Sequence, residues 1–457
     1  MPSRLARIAL VPAALGLLAL SQASAQVALL ASGALTESAA GPWTDLSGLT
    51  TTLENGAPAN LLGGLGSGFA WASGNTFLAL PDRGPNAISY DALIDETASY
   101  IPRFHTLVMT LQPNPGAGLP FVLTPKLRGT TLLSSPLPLV YGTGTGLGVG
   151  DGAPAENNLL THHFSGRSDN FDPAASSGST RDGRLDPEGI RLSNDGLSVF
   201  VSDEYGPYVY QFLRSSGTRL RSFRLPAHLF VAHAKPVGND EISGNTSGRT
   251  ANKGMEGLAI TPDGDTLVGI MQTALIQDAA QGGDAARLLR LVSIDVASGR
   301  VAEFAYLLTT GSGVSEIVAL NDHEFLVDER DGKGLGDGSS AKVKQVFKID
   351  LAGATDITGM DGLQAAGFAV GKSLFLDVVA VLTAAGITAD QIPAKLEGLA
   401  IGADLTGAAP LHTLWVASDN DFLQDLAGPG TNPNRFYVFG FTDADLAGSV
   451  LVPQQFR

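Results

Sequence analysis

NKGMEGLAITPDGDTLVGIMQ, residues 252–272, carries two apolar runs, LAI and TLVGIM, on either side of the turn signal PDGD. Short apolar runs flanking a Pro/Asp/Gly cluster read as a β-hairpin. The hairpin leaves its own front end unexplained. Glu256 and Gly257 stand where a buried strand should begin.

The arrangement recurs. GLGSGFAWASGNTFLALPDRG starts at Gly64, DPEGIRLSNDGLSVFVSDEY at Asp186, VSEIVALNDHEFLVDERD at Val314, and KLEGLAIGADL with LHTLWVASDNDF after it at Lys395. Aligned on one column, the copies place Ser67, Glu188, Glu256, Glu316 and Glu397 together, and glycine follows in four of the five. Each second strand ends in a polar cluster: Asp82-Arg83, Asp203-Glu204, Gln272, Asp328-Glu329-Arg330 and Asp419-Asn420-Asp421. Further β-runs follow at 105–111, 209–213, 288–294, 344–349 and 436–441, and a fourth run shows at 300–308. A four-stranded antiparallel unit repeated roughly every 60–80 residues predicts a propeller blade. The fold class is therefore all-β, a single closed β-propeller of four-stranded blades. Six blades are preferred, with five as the alternative, because the interval from Ser67 to Glu188 is 121 residues and leaves room for one more. The segment 27–35 is expected to pair with the C-terminal strands and close the ring, which removes sheet edges.

Composition agrees. The chain has 56 glycines and 25 prolines among short β-type runs, an all-β signature. It has no cysteine, which excludes disulfides, thiolate nucleophiles and Cys-ligated metal. A net charge of −16 argues against nucleic-acid binding and suits cations. Arg4 and Arg7, the apolar run 8–20 and Ala23-Ser24-Ala25 read as a signal peptide, 1–25, with Gln26 the new N-terminus. No later stretch is long and apolar enough for a membrane helix, so a periplasmic or secreted protein without membrane insertion is expected. Residues 26–457 then form one propeller domain, with a flexible Gly-rich loop at 141–184 and a small helical insertion near 361–392.

Strand direction explains the glutamate. In an antiparallel blade, the start of the innermost strand and the end of the second lie on the same face. Glu188, Glu256, Glu316 and Glu397 should therefore meet Asp82, Asp203, Asp328 and Asp419 around one mouth of the central channel. Packed carboxylates repel unless compensated. All-oxygen donors suit Ca²⁺, the expected cofactor, and Arg83, Arg103, Lys253, Arg330 and Lys395 are interleaved cations. The alternative is that each glutamate accepts backbone N–H groups and only locks blade to blade. His105 starts a third strand and is expected at the same mouth. No G-x-S-x-G elbow exists, since Leu65 and Phe69 flank Ser67 at two residues, and the glycines from Gly142 match no phosphate loop.

With DLSGLT at Asp45, GLGSGFAW at Gly64, DRGPN at Asp82, DPEGI at Asp186, SDEYG at Ser202, NKGMEGL at Asn252, KLEGL at Lys395 and SDNDF at Ser418, the chain resembles the exported bacterial family described as phytase-like, with esterase-like activity of phytase. The resemblance runs from about Asp45 to the C-terminus. It implies a propeller and an ester or phosphoester hydrolase. The expected reaction is metal-assisted hydrolysis of a small anionic or ester substrate by a monomer, with Glu256 or Glu188 as general base. His105, Arg83 and Arg330 would assist, and Arg83, Arg103, Lys253 and Asn252 would bind substrate. A lactonase-like propeller using Asn252, Asn420 and the glutamates, or a non-catalytic binding propeller in the periplasm, are the alternatives.

Overall fold

A computed structural model of the chain describes residues 27–86, 98–406, 411–426 and 430–456. The signal peptide expected at 1–25, with its cleavage site, lies outside the described residues. Five four-stranded antiparallel sheets make up the fold. Blade 1 is Gly68–Ser73, Thr76–Leu80, Arg103–Pro113 and Phe121–Leu132. Blade 2 is Pro187–Leu192, Ser198–Asp203, Val209–Leu213 and Arg219–Ser222. Blade 3 is Met255–Ile260, Thr266–Met271, Leu288–Asp295 and Val301–Leu307. Blade 4 is Gly313–Ala319, Glu324–Arg330, Lys344–Asp350 and Lys372–Asp377. Blade 5 is Lys395–Ile401, His412–Asp419, Asn434–Phe441 and, from the other end of the chain, Ala28–Leu35.

Five blades correct the preferred six. The long interval before Glu188 is filled by the 11- and 12-residue outer strands of blade 1 and by irregular chain. The N-terminal strand is spent on blade 5, where Leu35 pairs with Asn434 and Ala28 with Gly440. The expected closure is corrected in the same way. That pairing completes one blade, and the sheets are not hydrogen-bonded to one another into a ring.

Packing makes the ring instead. In blades 2 to 5 the pairing of the two inner strands slips at the recurring glutamate, between Pro187 and Ile190, Met255 and Gly257, Val314 and Ile317, and Leu396 and Gly398. Such a bulge re-aims a side chain and bends the strand. The glycine beside it is the contact with the next blade. A Cβ on Gly189 would lie 2.8 Å from Leu258 N, and one on Gly257 2.8 Å from Glu316 Cα. Gly68 meets Glu188 and Gly398 meets Phe69 in the same way. The channel is thereby narrow, and Arg191 crosses it. Its guanidinium donates to Phe69 O and Ile317 O, each at 2.8 Å, and pairs with Glu316 at 3.0 Å. The last described residues cover the far opening. Gln454 donates to Leu192 O at 2.7 Å and Phe456 packs on Trp71. The result is a blind cup.

Between blades the core is apolar. Phe69 stacks on Phe77 with ring centres 5.0 Å apart, and Phe77 meets Trp415 at 4.6 Å. The Gly-rich segment 141–184 lies packed along blade 2 for much of its length: Phe164 is buried against Tyr210 and Phe212, and buried Arg167 pairs with Asp169 and Glu54. The helical insertion expected near 361–392 is two short helices, Gly362–Ala366 and Val378–Ala384. Between them, Lys372–Asp377 is a strand and not part of a helix, because pairing with Lys344–Asp350 buries Leu376.

If the glycine contacts hold the ring, Gly257→Ala should destabilise the protein by about 1–3 kcal/mol, the usual cost of overpacking. Gly371→Ala, where an added Cβ meets nothing within 4 Å, should fall within about 0.5 kcal/mol of wild type. Denaturant unfolding of the two variants makes the comparison.

Candidate functional site

The open end of the channel is a cavity of about 840 Å³. Every blade contributes to its wall. Blade 1 supplies Asp82 and Arg83, blade 2 Glu188 and Glu204, blade 3 Asn252, Lys253, Glu256 and Gln272, blade 4 Arg330, and blade 5 Lys395, Glu397, Asp419 and Asp421. Backbone strain collects here as well. Asn252, Asp421 and Phe422 have φ of 56°, 52° and 56°, a region that non-glycine residues rarely adopt and that clusters at functional sites.

The carboxylates fall into two groups. Asp82, Asp419 and Asp421 place oxygens within 4.8 Å of one another, and so do Asp186, Glu188 and Glu204. The first group holds an internal cation: Lys395 Nζ donates to Asp419 Oδ2 at 2.9 Å and to Asp421. The second is less well compensated. Arg83 donates to Asp186 Oδ2 at 2.6 Å and to Asn252 Oδ1, which leaves Glu188 and Glu204 facing Glu256. Gln272 Nε2 donates to Glu256 Oε1 at 2.7 Å, while the buried Oε2 of Glu256 has no hydrogen-bond partner. Arg330 bonds Glu397 and Ser315 and stands 3.7 Å from Glu256.

Burial and like charge drive these acids the same way. Glu188 is held well above the usual carboxylate range by burial and then by the neighbouring Glu256. Glu256 is held up by burial and Glu204, and Asp82 by burial and Asp419. Burial raises Glu397 to about 7 although Arg330 and Lys395 oppose it. Burial works against the charge of Lys395, but Asp419 and Asp421 raise it well above a free lysine. The wall as a whole is acidic, with eight carboxylates and four cations among its described residues.

Residues 60–422 match the model of the family described as Phytase-like, esterase-like activity of phytase. The chain belongs to this family. An uncharacterized secreted protein of Arthroderma benhamiae is 30% identical over 305 residues, 58% of this chain and 54% of that protein, so the match spans about half of the relative. Two solved propellers are loosely similar. The periplasmic gluconolactonase PpgL of Pseudomonas aeruginosa has a TM-score of 0.32 at 10% identity, covering 91% of this chain and 98% of that one. A putative 6-phosphogluconolactonase of Bacteroides uniformis has a TM-score of 0.30 at 12% identity, covering 81% and 88%. Likeness at this level says nothing about chemistry. No helix among the described residues is long and apolar enough to cross a membrane.

In this phytase-like chain, the expected mouth residues Asp82, Arg83, Glu188, Asn252, Lys253, Glu256, Arg330, Glu397 and Asp419 do come together. Five others do not reach the wall, and their expected place is corrected; one is Asp328, which is buried below it. Glu316 lies deeper, held by Arg191 and accepting from Leu258 N and Ile317 N. Asp203 turns back to accept from the N–H groups of Asp186, Tyr205 and Gly206. Arg103 is fully buried, paired with Asp45 at 2.5 Å and stacked on Tyr100. His105 is buried on the third strand, away from the channel, with Nδ1 2.9 Å from Thr130 Oγ1; burial pulls it down to about 4, so it is neutral. Sequence reasoning gave no site role to Asp186, Glu204, Asp421 or Gln272. Period-2 alternation was the available signal: Asp186 is two residues before Glu188, and Asp421 two after Asp419.

The deeper acids give a pH test. Burial raises Asp328 to about 8 against Arg330 and Lys344, and Glu316 to about 7 against Arg191. Both values exceed the unfolded ones, near 4. Their contribution is complete below that and lost as pH rises through 7–8. EDTA-treated protein should therefore lose stability from pH 5 to 8.5, by about 1.4 kcal/mol per pH unit for each group still protonated. Asp328→Asn should flatten this slope in pH-dependent denaturation; an unaltered slope would contradict the assignment.

Proposed function

We propose that this phytase-like chain is an exported hydrolase that holds one divalent cation, Ca²⁺ by its all-oxygen donors, and cleaves an ester at the bottom of the cup. The observation that carries this reading is the Asp186–Glu188–Glu204 group beside the unpartnered Oε2 of Glu256. Buried carboxylates at that spacing require a proton or a cation among them. The residues fit a cation: every donor is an oxygen, and only Asp186 is paired with an arginine. The Asp82–Asp419–Asp421 group fits less well because Lys395 already stands in it.

When bound, the cation would polarise the substrate carbonyl or phosphoryl oxygen. The chain's own residues supply the rest. Glu256 is fixed through Oε1 by Gln272; with its own proton displaced by the cation, its carboxylate would take a proton from water. Arg330, steadied by Glu397 and Ser315, is placed to offset negative charge as it develops. The closed floor makes substrate and product share one opening.

The wall favours a carboxylic ester, open or cyclic, over a phosphoester. Three of its four cations are held in ion pairs, Arg83 with Asp186, Arg330 with Glu397 and Lys395 with Asp419, and Lys253 has only Gln272 Oε1 at 3.4 Å. Among the described residues a polyanion would find eight carboxylates and, outside ion pairs, Lys253 alone.

Assays of neutral carboxylic esters, lactones and phosphomonoesters with Ca²⁺ and with EDTA test this. Turnover of the first two is expected with Ca²⁺ and not with EDTA. Glu256→Gln should lower kcat by a factor on the order of 10²–10⁴, as for loss of a general base, while leaving melting in EDTA nearly unchanged. Turnover indifferent to EDTA would remove the cation from the account. No turnover of any class would leave a binding propeller.

A further inference from the structure

Four of the five blade contacts are made by glycine; in blade 4 the equivalent residue is Ile317. Between blades 4 and 5 a cleft of about 520 Å³ opens. It adjoins the cup, since Leu335 lines both. Ile387 and Leu426 give it further apolar wall. Its polar groups are Gln391, from the chain that leads into blade 5, and Ser32, Arg435 and Tyr437 of blade 5 itself. Ser32 pairs with Tyr437 across the antiparallel ladder, and Arg435, two residues before Tyr437, projects from the same face of the sheet.

Arg435 is half-buried, its Nε is enclosed without a hydrogen bond, and the ion pairs found among the described residues do not include it. Tyr437 is 2% exposed, and what it shows lines the cleft beside Arg435. A buried donor left unmade is costly, and in Arg435 that donor is Nε, while the ends of the guanidinium open on the cleft. The contrast with the cup matters, because three of the four cations among the described residues of its wall stand in ion pairs.

We infer that the cleft between blades 4 and 5 is a binding subsite for an oxyanion, a carboxylate or phosphate carried on an apolar body, held by Arg435 and Tyr437. A guanidinium fork and a phenol offer donors, and an oxyanion offers the matching acceptors. The apolar walls take the rest of the ligand. The cup and the cleft would thus divide a substrate, with the neutral ester at the carboxylates and a remote negative charge at Arg435. The binding claim itself does not depend on the cup being catalytic.

Titration calorimetry of the full chain with phenylacetate and phenylphosphonate, with phenylacetamide as the neutral control, tests the subsite. Saturable one-site binding of at least one anion is expected, and none of the amide. Arg435→Met should weaken it about tenfold or more, as loss of a charge-assisted pair does. Tyr437→Phe should weaken it several-fold, and Glu256→Gln should leave it unchanged. Tighter phenylphosphonate assigns the subsite to phosphate, tighter phenylacetate to carboxylate. If Arg435→Met does not fold, Arg435→Lys, which keeps the charge and loses the fork, must weaken binding instead. Binding equal for the amide, unaltered by the Arg435 variants, or absent in wild type overturns the proposal. Because Glu256→Gln disables the proposed chemistry without touching the cleft, failure of the subsite and failure of the hydrolase reading are told apart.

Discussion

The inner strands of neighbouring blades approach so closely that the residue between them has no room for a side chain. Gly68, Gly189, Gly257 and Gly398 occupy that place, and a methyl group at any of them would strike the next blade. Much else follows from this spacing. Each bulge that brings a glycine to its neighbour leaves a glutamate at the axis, so the ring cannot tighten without gathering carboxylates. The channel becomes narrow enough for one arginine, Arg191, to reach carbonyls of blades 1 and 4. The question raised by Glu256-Gly257 has one answer: the glycine packs the ring and the glutamate faces the channel.

Gathered acids in a low-dielectric site must be neutralised. The fold uses three means. Glu316 is met by Arg191 at the floor, and Asp419 and Asp421 by Lys395 at the rim. Around Glu188, Glu204 and Glu256 the described residues supply less, and there burial and mutual repulsion hold Glu188 and Glu256 toward the protonated form. A structural role accounts well for Glu316. It does not account for Glu256, whose Oε2 faces the group without a partner. This asymmetry within one repeated motif is why a cation is proposed at blades 2 and 3 and not around the whole ring.

The repeat itself was legible, because alternation, turn residues and the E-G pair recur in register. Strand 209–213 was placed to the residue, and the partner of segment 27–35 was foreseen. Blade number was not legible: length alone does not distinguish an extra blade from the long strands Arg103–Pro113 and Phe121–Leu132. The mouth was read from strand direction, which locates strand ends but not side chains. Hence Asp203, which turns to cap backbone N–H groups, was chosen over its neighbour Glu204. His105 was misplaced because third strands lie two removed from the axis. Which cations are engaged and which are not, as with Lys395 and Arg435, is a matter of three-dimensional pairing that no spacing reveals.

The central claim is that the Asp186–Glu188–Glu204 group with Glu256 exchanges protons for a divalent cation. Calorimetric titration of Ca²⁺ into EDTA-stripped protein at pH 7, run in two buffers of different ionisation enthalpy, measures this directly. The account requires one Ca²⁺ per chain, net proton release on binding, and loss of both in Glu188→Gln. Absence of Ca²⁺ binding, or binding that Glu188→Gln leaves intact, would contradict it.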